Sequence, residues 1–246
     1  MSIAEIMSIA EIMSAARARN LILSGGIQHD FPPAALALQA CLDAADVQST
    51  ITEDMDAAWA GIAAGEWELI TLHALRWRMT QHDKYAPYRD RWAYAIPQAG
   101  RDALWSHVQR GGGLLGVHTA ALCFDTWDDW GQLLGVNWRW GESFHPELGV
   151  IRVTPTATAH PLTHGITEFE TVDEVYHGLR VCTDAPALLE SLQQPLLWAH
   201  TQGRGRVVYD ALGHDAQAIT QREHATLLRR SAAWLLQRSD ADVRAL

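Results

Sequence analysis

The chain has 246 residues, 48% of them apolar, and a formal net charge of −10. That length and apolar content fit one sizeable globular domain and exclude a disordered chain. The negative charge excludes the basic footprint that nucleic acid or an anionic membrane surface requires, and it leaves small-molecule binding open.

A hexapeptide, SIAEIM, opens the chain twice, at 2–7 and 8–13. Six residues is neither a heptad nor a helical period. Residues 1–19 read as a repeat extension of helical propensity, outside the chemistry, and 20–246 as one α/β domain. Residues 20–26 (NLILSGG) form a first buried strand ending in glycines, 33–47 an alanine-rich helix with an early proline, and 48–53 a second strand. A helix over 55–65, a strand over 68–73, a helix over 98–110 and a strand over 114–117 follow, and Thr119 opens another helix. Later come a strand at 149–154, extended segments at 186–192 and 196–200, a tight turn at 203–206, a strong strand at 207–212 and a closing amphipathic helix at 221–237. Strands alternating with helices through short loops predict a mostly parallel, doubly wound, flavodoxin-like sheet with helices on both faces. Its ligands are expected outside the carboxyl ends of the strands.

Twelve histidines and eleven tryptophans stand out. Four predicted strands carry a histidine at or just past the carboxyl end: His29, His73, His118 and His214. In a parallel sheet those ends share one edge, so the imidazoles are expected to meet in one cleft. Gly116-Val117-His118-Thr119-Ala120 has the small–x–nucleophile–x–small form of a strand-to-helix elbow, with imidazole where a serine or cysteine would sit. Histidine there serves as base, acid or metal ligand and is a poor acylating nucleophile. Cys123, inside the following helix, cannot reach the tip, so a thiol amidotransferase is disfavoured. Cys41, Cys123 and Cys182 form no C-x-x-C pair, which points to reduced thiols and a cytoplasmic protein. No apolar run reaches membrane-spanning length, and no secretory leader is expected. The GRGR turn and the SGG loop do not match a phosphate or dinucleotide motif, so no nucleotide is expected.

The residues resemble the ThuA-like (trehalose utilisation) family, a branch of the class I glutamine amidotransferase-like fold. The likeness rests on SGG at 24–26 with HDF at 29–31, GGGLLGVHTA at 111–120, FHP at 144–146, HPLT at 160–163, DEVY at 173–176, GRGRVVY at 203–209 and LGHD at 212–215. It spans roughly residues 20–237. It implies a polar cleft in which histidine replaces the amidotransferase cysteine, and substrates related to trehalose through 3-keto-sugars. The candidate catalytic residues are His118, Glu174 and Asp215. His73, Trp140 and Tyr176 are candidates for substrate binding, and His29, His145 and His214 for one divalent ion, zinc or similar. A metal and metal-free acid–base chemistry both stay open, as does association of like chains. The reaction expected is elimination, hydration or isomerisation of a 3-keto-glycoside or trehalose-related disaccharide. A non-catalytic sugar-binding or regulatory module is the rival. Residues 81–92 read as a lid or a plain surface excursion. His160 and His164 read as turn residues.

Overall fold

A computed structural model describes residues 17–246, and the duplicated start lies outside them. Nine strands share one sheet in the order β2-β1-β3-β4-β11-β10-β9-β6-β7. The first five of that order, β1 (Ala18–Gly25), β2 (Val47–Thr52), β3 (Leu69–Ala74), β4 (Gly113–Val117) and β11 (Gly205–Asp210), run parallel. This is the 2-1-3-4-5 order of flavodoxin-like sheets, with the last parallel strand drawn from far along the chain. Every residue of β3 and β4 is buried, because helices cover both faces. Helix α1 (Phe31–Asp43) packs on α7 (Arg222–Leu235), and α2 (Met55–Ala64) packs on α4 (Gln98–Gln109).

The remaining strands are antiparallel. The two-residue Gly203-Arg204 turn joins β10 (Gln194–Gln202) to β11, with Gly203 at φ +60°, a conformation that favours glycine. Strand β9 (Leu189–Ser191) follows in the sheet, then β6 (Gly149–Pro155) and β7 (Phe169–Asp173). Strand β6 pairs with β9 only through Thr154 and Pro155, whereas it pairs with β7 from Gly149 to Val153. The β6–β7 ribbon is therefore tied to the sheet at one end and carries its other end across to the carboxyl edge of the parallel strands. Two two-residue strands, β5 (Val136–Asn137) and β8 (Arg180–Val181), pair separately.

Some local expectations shift. No α-helix follows His118; residues His118–Leu122 make a 3-10 turn, and the chain leaves it at Cys123 in extended conformation. Short helices α3 (Arg89–Trp92), α5 (Trp130–Leu134), α6 (Ala216–Thr220) and α8 (Asp240–Ala245) complete the fold. Strand β1 starts at Ala18, two residues ahead of the expected strand. Residues 81–92 are pinned. Tyr85 is buried edge-on against Trp77, and the Asp125 carboxylate receives hydrogen bonds from Arg78 and Gln81. Ile27, Phe31, Leu75, Trp77, Met79 and Tyr85 form a second small core beneath this segment. No helix among the described residues is long and apolar enough to cross a membrane.

Candidate metal centre at the carboxyl edge

The elbow sets the site. His118 has φ +48°, a left-handed conformation that side chains other than glycine rarely adopt, and such strain needs surrounding support. The support is visible. A Cβ on Gly116 would stand 2.5 Å from Leu134 Cδ1 and 3.2 Å from the Ala120 methyl, so the turn needs its small residue there. Tyr209 Oη donates to the His118 carbonyl at 2.9 Å, and Thr119 Oγ1 donates to the Ala74 carbonyl at 2.8 Å.

Buried His118 approaches the Ala211 carbonyl through Nδ1 at 2.7 Å. A carbonyl only accepts, so Nδ1 carries the proton and Nε2 presents a lone pair. That Nε2 has no hydrogen-bond partner. His29, on the loop after β1, repeats the pattern. Its Nδ1 lies 3.3 Å from the Ile27 carbonyl, and its Nε2 is unpartnered. His214, on the loop after β11, leaves Nδ1 unpartnered, and Glu174, just past β7, leaves Oε2 unpartnered. Oε2 lies 3.4 Å from His118 Nε2 and 3.6 Å from His214 Nδ1. The four side chains each offer a ligand atom within 4.8 Å of the others.

Buried polar atoms without partners are costly, about 1–3 kcal/mol each. Four that converge form a set of donors that one cation could satisfy together. A tetrahedral ion with bonds of about 2.0–2.1 Å would hold its donors roughly 3.4 Å apart, close to the spacing at Glu174. The electrostatics agree. Burial, and then the neighbouring His118 and His214, press His29 down to about 3, so it is a neutral ligand near pH 7. Burial pushes the Glu174 carboxyl up, but His118 and His214 beside it outweigh burial and hold it below the usual carboxylate range. Three imidazoles and one carboxylate suit a divalent first-row metal.

The other candidates fall around this set. His145 is brought in by backbone pairing of Phe144 with His177. Its Nδ1 lies 3.4 Å from Glu174 Oε1 and 2.9 Å from the Pro146 carbonyl, with the side chain 42% exposed. It stands at the open side, outside the four donors. Tyr176 is buried with its ring 4.6 Å from that of His118, forming a wall. His73 is fully buried one layer below, where its Nε2 meets the Gly213 carbonyl at 3.0 Å. No substrate reaches it there. Trp140 is half-buried and stacks on buried Trp77 at 5.3 Å, and half-buried Trp138 stands edge-on to Tyr176. Trp127 and Trp130 are core. Asp215 caps α6 by accepting from the Ala218 N–H at 2.9 Å, so its carboxylate is engaged in the helix start and not in the donor set. His160 accepts from the Leu162 N–H in a turn.

Sequence reasoning missed Asp173 and the buried pair of Asp210 and His224. The signal for Asp173 was present. In FETVD, residues alternate between buried and more open positions, and Asp173 falls on the buried side. An acid on the core face of a strand needs a specific reason to be there.

A family model described as ThuA, trehalose utilisation, matches residues 19–235. A crystal structure of a ThuA-like protein from Parabacteroides merdae is similar at a TM-score of 0.69 and 17% identity, covering 89% of this chain and 90% of that one. A cytoplasmic protein from Salmonella typhimurium is similar at 0.61 and 15% identity, covering 88% and 99%. A glutamine amidotransferase from Thermotoga maritima is similar at 0.54 and 10% identity, covering 90% and 99%. At these identities the likeness is one of fold. No curated protein matches the sequence. The chain belongs to the ThuA family, whose description as trehalose utilisation gives it a carbohydrate-related role.

Proposed function

We propose that this chain is a metal-assisted enzyme that cleaves or isomerises a 3-keto-glycoside or a trehalose-related disaccharide. The observation that supports this best is the meeting of four unpartnered donor atoms, from His29, His118, Glu174 and His214, at one point of the carboxyl edge. A divalent ion held there would act as a Lewis acid toward a sugar carbonyl. His118 and Glu174 serve in this reading as ligands, while proton transfer falls to a group on the open side.

His145 is that group: an imidazole beside Glu174 Oε1, in contact with solvent. A ketone at C3 of a pyranoside acidifies the C2–H bond. His145 removes that proton, the C2–H bonding pair forms the C1–C2 double bond, and the C1–O bond breaks with its pair left on oxygen. The departing oxygen takes that proton from the His145 imidazolium, and water adding across the double bond, hydroxyl to C1 and hydrogen to C2, completes the cleavage. Trp138, whose ring lies 6.4 Å from that of His145, and Trp140 beside it, both half-buried, offer flat faces to a sugar ring.

The test is metal content per chain, with turnover of a methyl 3-keto-glucoside followed by NMR. About one divalent ion per chain and consumption of the glycoside are expected. A folded chain that takes up no Zn(II), Mn(II) or Co(II) overturns the metal reading. A loaded chain that binds the glycoside without consuming it makes the protein a sugar-binding module.

A further inference from the structure

We infer that Asp173 is the positioning residue of the centre, its buried carboxylate tying the strand end that carries Glu174 to the loop that carries His214. The inference rests on the cation reading above and goes beyond it to a residue that touches neither cation nor substrate.

Asp173 is fully buried. Its Oδ1 accepts from the Glu174 N–H at 2.8 Å and from the His214 N–H at 3.3 Å. Its Oδ2 accepts from the Gly213 N–H at 2.7 Å. One carboxylate thus holds the backbones of two donor residues that are distant in sequence. Oδ1 also lies 3.9 Å from His118 Nδ1, behind a third donor. The loop has little freedom at this point. Gly213 sits at φ +106°, and a Cβ there would meet Val117 Cγ1 at 2.7 Å. Its carbonyl is taken by His73 Nε2. A carboxylate is the side chain that accepts all three amide protons, because it has two oxygens and no donor.

Charge points the same way. Asp173 and Glu174 place two carboxylates in one buried spot, and among the described residues no arginine or lysine forms a salt bridge with either. Buried carboxylates without a cation are costly, and a divalent ion between the imidazoles would balance the pair.

The experiment titrates Zn(II) and Co(II) into the wild-type chain and into Asp173→Asn. The amide keeps one accepting oxygen and loses the other, so at least one of the three backbone N–H groups loses its acceptor. Affinity is expected to fall about 10–100-fold, with a changed Co(II) visible spectrum. His224→Gln, on α7 beside the same loop, is the control: it lowers stability and keeps affinity and spectrum. If Asp173→Asn binds Co(II) with wild-type affinity and spectrum, the positioning role is wrong. If wild type binds neither metal, the cation reading fails first and the inference with it. Should the variant not fold, amide hydrogen exchange on the wild type decides. The Glu174, Gly213 and His214 amides are expected to be protected together. Rapid exchange at Gly213 and His214 beside a protected Glu174 overturns the tie.

Discussion

Two histidine–carboxylate groups flank the loop at 210–214, and they are built on opposite principles. On one side, buried His224 uses both ring nitrogens. Nδ1 donates to the Ala218 carbonyl at 2.7 Å and Nε2 to Asp210 Oδ2 at 3.1 Å. Asp210 Oδ1 in turn accepts from the Leu212 N–H at 3.0 Å. On the other side, His29, His118, His214 and Glu174 point unpartnered atoms at one another. The first group is a finished cross-link between α7 and the end of β11. The second is unfinished by the protein alone. The contrast between a buried pair completed this fully and four donor atoms left open is what supports the proposed cation.

The largest effect expected breaks the open group. His118→Ala or Glu174→Ala removes a donor outright, so affinity for Zn(II) should fall by more than about 100-fold, more than the loss typical of an outer-shell partner. Thermal melts give the readout. Zn(II) should raise the wild-type Tm by mass action and leave either variant unmoved. An equal rise in all three proteins would place the ion elsewhere.

Breaking the finished group should cost stability instead. His224→Ala leaves the Asp210 carboxylate buried without its imidazole partner, a loss of about 3–5 kcal/mol. Urea unfolding measures it. Zn(II) stoichiometry of the folded fraction should hold, and its disappearance would merge the two groups into one functional unit.

The contrast extends to pH, with opposite signs. Burial first, and then His118, press His73 down to about 3, so it is neutral in the fold. The unfolded chain takes up that proton near pH 6.5, and stability is lost as pH falls from there toward 3, at about 1.4 kcal/mol per unit. Burial opposes the charge on His224, but Asp210 outweighs it and raises the pKa. Its contribution is complete below the unfolded value and is lost as pH rises through the raised folded one. Urea titrations of the metal-free chain across pH should therefore show a shallower acid slope in His73→Gln, where His29 keeps its share, and a shallower alkaline slope in His224→Gln. An acid slope as steep in His73→Gln as in wild type would assign all of it to other buried groups.

Much of this arrangement is legible in the sequence, for physical reasons. Strands β1, β3, β4 and β11 announce themselves as short apolar runs because both faces are buried. Three of them lead into loops or turns with glycine or histidine at the carboxyl edge. The elbow is legible from Gly116 and Ala120, whose small size the turn requires. Strand β7 is harder to see. It is short and lies at the edge of the sheet, and what it delivers depends on a hydrogen bond that spans 40 residues of chain. Local pattern carries no record of such a contact. The same limit misdirects attention between two aspartates. Asp215 follows a histidine and so invites a catalytic reading, while Asp173, within an ordinary strand, holds the loop.

The smallest effect settles that last contrast. Asp215 precedes Ala-Gln-Ala-Ile-Thr and accepts from the Ala218 N–H, the work of a helix N-cap. Replacing such a cap with alanine costs about 1 kcal/mol, a fall of roughly 2–4 °C in Tm for a domain of this size. The donor atoms of the centre are untouched, so Zn(II) affinity and any glycoside turnover should stay within about twofold of wild type, since a tenfold change needs about 1.4 kcal/mol at the centre itself. A large loss of turnover in Asp215→Ala, with Tm near wild type, would instead move Asp215 into the chemistry and show that α6 is held at its start for more than its own stability.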